Sequence, residues 1–115
     1  MTHSNHKQGL QKGCKYDGGY HDGHHTVKYF WEIFDNMTED QKKNFLEFVS
    51  GSDRCPVGGL ERLKLTITKN GPDSNRLPSA HTCFNVLLLP EYSTKENLQE
   101  RLMKALENSM GFGML

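Results

Sequence analysis

Apolar residues recur at Val27, Phe30, Trp31 and Phe34, an i, i+3, i+4, i+7 stripe that predicts a short helix with one buried face. The first 25 residues are polar and rich in glycine and histidine. Within them only Tyr16-Asp17-Gly18-Gly19-Tyr20 has the composition of a strand and turn able to dock on a core. Thr38-Glu39-Asp40-Gln41 has the form of a capping box, so a second helix is predicted to start there, to turn Phe45, Phe48 and Val49 inward and to stop near Gly51. Residues 51–60 carry too many backbone punctuators for regular structure and read as a loop. Leu63, Leu65 and Ile67 then alternate with Lys64, Thr66 and Thr68, the period of a half-buried strand. Asn70-Gly71-Pro72-Asp73 turns the chain, and one extended stretch is predicted over residues 78–89, closed by Pro90. Ser93-Thr94-Lys95-Glu96 reads as another capping box, opening a last helix that buries Leu98, Leu102, Met103 and Leu106. Residues 110–115 form an apolar tail with two glycines and are expected to move freely. The order of strand, two helices, two strands and helix predicts a small single α/β domain, a mixed β-sheet packed by helices.

Composition narrows the functional classes. A chain of 115 residues holds one core rather than two. Fourteen basic and fourteen acidic residues leave a formal net charge of zero, so neither nucleic acid nor an anionic membrane is expected as a partner. The longest aliphatic run, Val86–Leu89, falls far short of the ~20 residues of a membrane span, and the start has no apolar signal region. An intracellular protein is expected. Cys14, Cys55 and Cys83 are an odd set at wide spacing, which fits reduced thiols better than disulfides or a zinc site. Cys14 is read as an exposed bystander and Cys55 as a small filler. His21, His24 and His25 beside Asp22 are metal-ligating types, yet histidines clustered in a glycine-rich segment are usually solvated, and no metal or other cofactor is expected.

Cys83 lies in Leu77-Pro78-Ser79-Ala80-His81-Thr82-Cys83-Phe84-Asn85, after a proline that keeps the chain extended. In an extended segment His81 and Cys83 project to one side, where the imidazole can influence the thiol. Pattern alone favours a buried cysteine as a small apolar filler over a nucleophile. The string Leu77-Pro78-x-x-His81-Thr82-Cys83-Phe84-Asn85, however, resembles the active-site motif of HECT-type ubiquitin ligases. Phe30-Trp31, Phe45-Leu46-x-Phe48, Gly51-x-x-Arg54-x-Pro56-x-Gly58-Gly59-Leu60, Leu87-x-Leu89-Pro90-x-Tyr92 and Gly111-Phe112-Gly113 resemble the C-terminal lobe of the same family in order and spacing. Lys69-Asn70-Gly71-Pro72-Asp73 and the ending Gly111-Phe112-Gly113-Met114-Leu115 are nearest to the family's founding member.

The resemblance implies a ubiquitin-protein transferase. Cys83 takes the C-terminal glycine of ubiquitin as a thioester from a ubiquitin-conjugating enzyme and yields it to a lysine of a substrate protein. His81 and Thr82 match the motif and are implied to orient the thiol or the tetrahedral intermediate. Phe112 matches the phenylalanine that the family places fourth from its C terminus, where it aids isopeptide transfer. Some members end in an acidic residue where this chain has Leu115. The implied division is a disordered leader or inter-lobe linker over residues 1–15 and the C-terminal lobe over residues 16–115. The larger N-terminal lobe that recruits the conjugating enzyme has no counterpart in this chain and is implied as a partner in a full-length protein. Cytoplasmic residence is expected, with the nucleus also open. The competing reading is a non-catalytic ubiquitin-binding or docking module of the same fold. A cysteine hydrolase or redox protein ranks last, because it needs an oriented base or a resolving cysteine.

Overall fold

The computed structural model describes residues 9–51, 63–82 and 84–111, with side chains described to residue 108. Among the described residues, beside a helical turn at residues 9–12, lie three helices and a four-stranded sheet: β1 (Lys15–Asp17), α1 (His25–Asp35), α2 (Glu39–Ser50), β2 (Thr66–Lys69), β3 (Ser79–His81), β4 (Val86–Leu89) and α3 (Lys95–Gly111). Strand order is β1-β2-β4-β3, with β1, β2 and β4 parallel and β3 antiparallel at the edge. The mixed α/β class is as expected. There is one more strand than the pattern predicted, because the stretch over residues 78–89 divides into β3 and β4.

Each helix is set by local chemistry. His24 caps α1, its Nδ1 accepting from the Thr26 amide at 3.1 Å. Val27, Phe30, Trp31 and Phe34 are all buried, as their spacing predicts. Thr38 and Gln41 form the reciprocal capping box of α2, at 3.1 and 3.0 Å, and Gly51 closes that helix in the left-handed region with φ 82°. For α3 the cap shifts by one residue. Thr94 Oγ1 accepts from the Asn97 amide, whereas the Ser93 hydroxyl donates to Asp73, so Asp73 competes successfully for the serine. Met110 and Gly111, expected in a mobile tail, belong to α3.

The core joins Phe30, Trp31, Phe34 and Phe45 from α1 and α2 to Leu65, Ile67, Leu87 and Leu89 of the sheet side and to Leu98, Leu102 and Leu106 of α3. Burying each of these side chains stabilises the fold by roughly 1.5–3 kcal/mol before chain entropy is set against it. Leu10 also lies wholly buried here, in a helical turn at residues 9–12 inside the stretch expected to be a leader. Helix α3 packs on α1 and α2, and α2 lies against β3 and β4, so the edge hairpin rests on a helix.

A polar tether ties the start of α1 to the segment after β4. His24 Nε2 pairs with Glu91 at 2.9 Å, Lys69 Nζ approaches the other carboxylate oxygen at 3.4 Å, and the Tyr20 hydroxyl donates to the Leu89 carbonyl at 2.7 Å. Desolvation works against the Glu91 charge, but the hydrogen bonds from His24 and Lys69, reinforced by charge, hold its carboxyl below the ordinary value. A depressed carboxylate stabilises the fold above its unfolded value, here 4.5, and loses that contribution as pH falls through the folded value. Glu91→Gln is therefore expected to lower the melting temperature by a few degrees at neutral pH. The gap from wild type should close below about pH 4.5. Thermal melts across that range check this, and a gap that failed to narrow as pH falls below 4.5 would contradict it.

Candidate active site

The site is built at the β3–β4 hairpin. His81 pairs with Val86 and Ala80 with Leu87, so residues 82–85 connect the strands. The Phe84 amide donates to the His81 carbonyl at 3.1 Å and closes a turn. The single extended stretch predicted over residues 78–89 is thus corrected to a hairpin. The physical reason is Asn85, whose φ of 54° reverses the chain just before the aliphatic run. Asparagine enters the left-handed region at less cost than most residues, and here its side chain offsets the cost. Asn85 Nδ2 donates to the Leu63 carbonyl at 2.8 Å, while its own carbonyl accepts from the Thr66 amide at 3.0 Å. The turn is fastened to the entry of β2.

Cys83 lies outside the described residues, as do Cys55 and Phe112. The residues that flank Cys83 in the chain are described: Thr82 and Phe84 are both exposed, in a turn whose two ends are tied to the sheet. His81 is exposed at the end of the edge strand. Strand β3 ends at His81, and the expectation that His81 and Cys83 share a face lies outside the described residues. Thr82 sits beside the C-terminal cap of α2, where a Cβ on Gly51 would stand 3.8 Å from its own. The sequence reading missed Asn85 as the brace. Its signal was an asparagine immediately before an apolar run, a pattern that marks a turn as readily as a strand interior.

The one thiol among the described residues is unsuited to nucleophilic work. Cys14 is half-buried against the core rather than exposed, and burial pushes its thiol up to about 12, outweighing hydrogen bonds that lower it. Virtually none of it is thiolate at neutral pH. Of the histidine cluster, His24, His25 and Glu91 come together with ligand-type atoms within 4.8 Å of one another. Both ring nitrogens of His24 are engaged, Nδ1 as acceptor from Thr26 and Nε2 toward Glu91. A metal ligand instead donates from its second nitrogen to a carbonyl or carboxylate. A cation on Nε2 would force the proton onto Nδ1, against the Thr26 amide, so the ring fits a structural cap and ion pair better than a metal ligand.

A family model described as HECT-domain (ubiquitin-transferase) matches residues 4–115. The human protein "Probable E3 ubiquitin-protein ligase HERC4" is 43% identical over 106 residues, covering 92% of this chain and 10% of that protein. Human "Probable E3 ubiquitin-protein ligase HECTD2" is 46% identical over 105 residues, 91% of this chain and 13% of that protein. "Probable E3 ubiquitin-protein ligase HUL4" of Eremothecium gossypii is 41% identical over 104 residues, 90% of this chain and 12% of that protein. The chain spans about a tenth of the length of the curated relatives it matches.

Proposed function

The chain belongs to the HECT-domain (ubiquitin-transferase) family, and from that premise we propose that it is the ubiquitin-accepting lobe of a ubiquitin-protein ligase. Cys83 is the acceptor. Its thiolate adds to the thioester carbonyl at the C-terminal glycine of ubiquitin, the bond to the conjugating enzyme's sulfur breaks, and that enzyme leaves as a thiolate. Exchange between two thioesters is near balance, so this step asks mainly for a thiolate and for alignment. A substrate lysine then displaces the Cys83 sulfur. At pKa ~10.4 an ordinary lysine is neutral in only about one molecule in a thousand at pH 7, so the second step needs a base or an ordered acceptor.

The observation that carries this reading is the intact His81-Thr82-Cys83-Phe84-Asn85 string, in which Thr82 and Phe84 are exposed and Phe84 and Asn85 are tied to the sheet by hydrogen bonds. The non-catalytic alternative has no comparable support, since its mark would be a substitution at the motif cysteine. His81 and Thr82 are assigned the orientation of the thiol or the tetrahedral intermediate, and Phe112 the lysine-transfer step. In a longer protein an N-terminal lobe would dock the conjugating enzyme and raise the effective concentration of the incoming thioester. Lys69-Asn70-Gly71-Pro72-Asp73 and the ending Gly111-Phe112-Gly113-Met114-Leu115 support a kinship within the family to its founding papillomavirus-associated ligase.

Cys83→Ser tests the acceptor. The serine should trap ubiquitin as an oxyester that survives reducing agent and is cleaved by mild alkali. A variant that still formed a reducible adduct would transfer the role to Cys55 or Cys14.

A further inference from the structure

His24 holds two partners that count its protons in opposite ways. Its Nδ1 accepts from the Thr26 amide at 3.1 Å, which an imidazole nitrogen does only while it carries no proton. Its Nε2 lies 2.9 Å from Glu91 Oε2, and the Glu91 carboxyl is held below its ordinary value, so an ionised acceptor stands there and Nε2 carries the ring's proton. The cap therefore requires one neutral tautomer. A second proton has only Nδ1 to go to, where it faces the N–H of Thr26, donor against donor.

The surroundings decide which partner prevails. Thr26 is wholly buried, with its hydroxyl already given to the Tyr92 carbonyl at 3.1 Å, so water cannot replace the imidazole at its amide until the first turn of α1 opens. Glu91 gains little from a charged ring. Lys69 Nζ, at the end of β2, already stands 3.4 Å from its other oxygen, and the glutamate side chain is 32% exposed. Around the ring, His25 of α1 stacks at 4.6 Å between centroids, and from the link before the helix His21 meets it at 5.8 Å and Tyr20 at 4.7 Å. Two of these three neighbours are imidazoles, a group that becomes a cation over the same pH range and repels a charged His24. Asp22, two residues away in the chain, acts through its charge on Cys14 and Tyr16. We propose that His24 is a proton-operated latch on α1: neutral, it caps the helix and ties it to Glu91, and protonated, it lets go of the Thr26 amide so that the first turn opens. Opening loosens residues 18–24, which join β1 to α1. The stability that the cap supplies is present above the imidazole range and lost as pH falls through it.

The test compares wild type with His24→Asn between about pH 7.5 and about pH 5.5, a window in which Glu91 stays ionised. Asparagine is among the best capping residues, and its side-chain oxygen does not titrate. Thermal melts should show wild type losing about 5 °C more than His24→Asn over that drop. Hydrogen exchange at the Thr26 amide, corrected for its intrinsic rate, should quicken about tenfold in wild type and stay nearly level in the variant. NMR of the ring nitrogens in wild type should find the single proton on Nε2 at about pH 7.5. An equal or larger loss of melting temperature in His24→Asn would overturn the latch. So would a Thr26 amide equally protected at both pH values in wild type, or a neutral ring with its proton on Nδ1. Those last two readings need only the wild-type chain, so they decide the matter even where the variant fails to fold.

Discussion

Phe34→Ala is expected to cost about 3–5 kcal/mol of stability, the range for truncating a fully buried phenylalanine. Phe34 is wholly buried, with ring centroids 5.5 Å from Phe45, 5.9 Å from Trp31 and 6.2 Å from Phe30, so it clasps α1 to α2. It also lies under the Lys42 ammonium, 5.6 Å from its centroid. Lys42 is buried, and its Nζ finds no hydrogen-bond partner among the described residues. Removing the ring therefore leaves a cavity and takes from a buried cation the aromatic face that partly offsets its lost hydration. A domain of this size holds ~5–15 kcal/mol in all, so much of the total goes with one side chain. With a urea slope of about 1–3 kcal/mol per molar, the unfolding midpoint should fall by about 1 M or more. A loss below about 1 kcal/mol would show that α1 and α2 hold together by other means.

Removing residues 112–115 is expected to leave thioester formation nearly intact and to slow transfer to lysine about tenfold, as for a group that aligns only the second step. The structure bears on this through α3, which continues to Gly111 with Leu98, Leu102 and Leu106 buried along it. The removed residues lie outside this described helix, whose buried Leu98, Leu102 and Leu106 are all kept in the truncated chain. Single-turnover loading and lysine discharge, measured separately on the truncated chain, separate the two steps. Equal loss of both would mean that the tail serves the fold, and no loss of either would remove Phe112 from the mechanism.

The helices were legible because periodicity and capping are local. Val27, Phe30, Trp31 and Phe34 are all buried, and Thr38, Gln41 and Gly51 act as their residue types predict. The His24 cap was not legible, because histidine is a rare cap and here its second nitrogen is held by Glu91, 67 residues away. Ser93 misled for the same kind of reason: its hydroxyl answers to Asp73, a partner that only the folded chain brings near. The hairpin was hidden by aliphatic residues at Val86–Leu89 that continue the β-like composition of Ser79–His81, while the reversal between them depends on one asparagine braced from another strand. The proposed acceptor rests on words in the sequence and not on periodicity. Neither hydrophobic pattern nor charge marks Cys83, and the proposal comes from the motif that the residues around it resemble.

The most direct measurement is a charging reaction of this chain with activating enzyme, a conjugating enzyme and ubiquitin, beside the same chain joined to an N-terminal lobe of the family. Both are resolved on non-reducing and reducing gels. The expected result is one added ubiquitin that thiol reagents remove and that Cys83→Ala abolishes while Cys14 and Cys55 remain in place, the joined form charging faster. A reducible adduct that persisted in Cys83→Ala, or a folded wild-type protein that formed no adduct in either form, would contradict it.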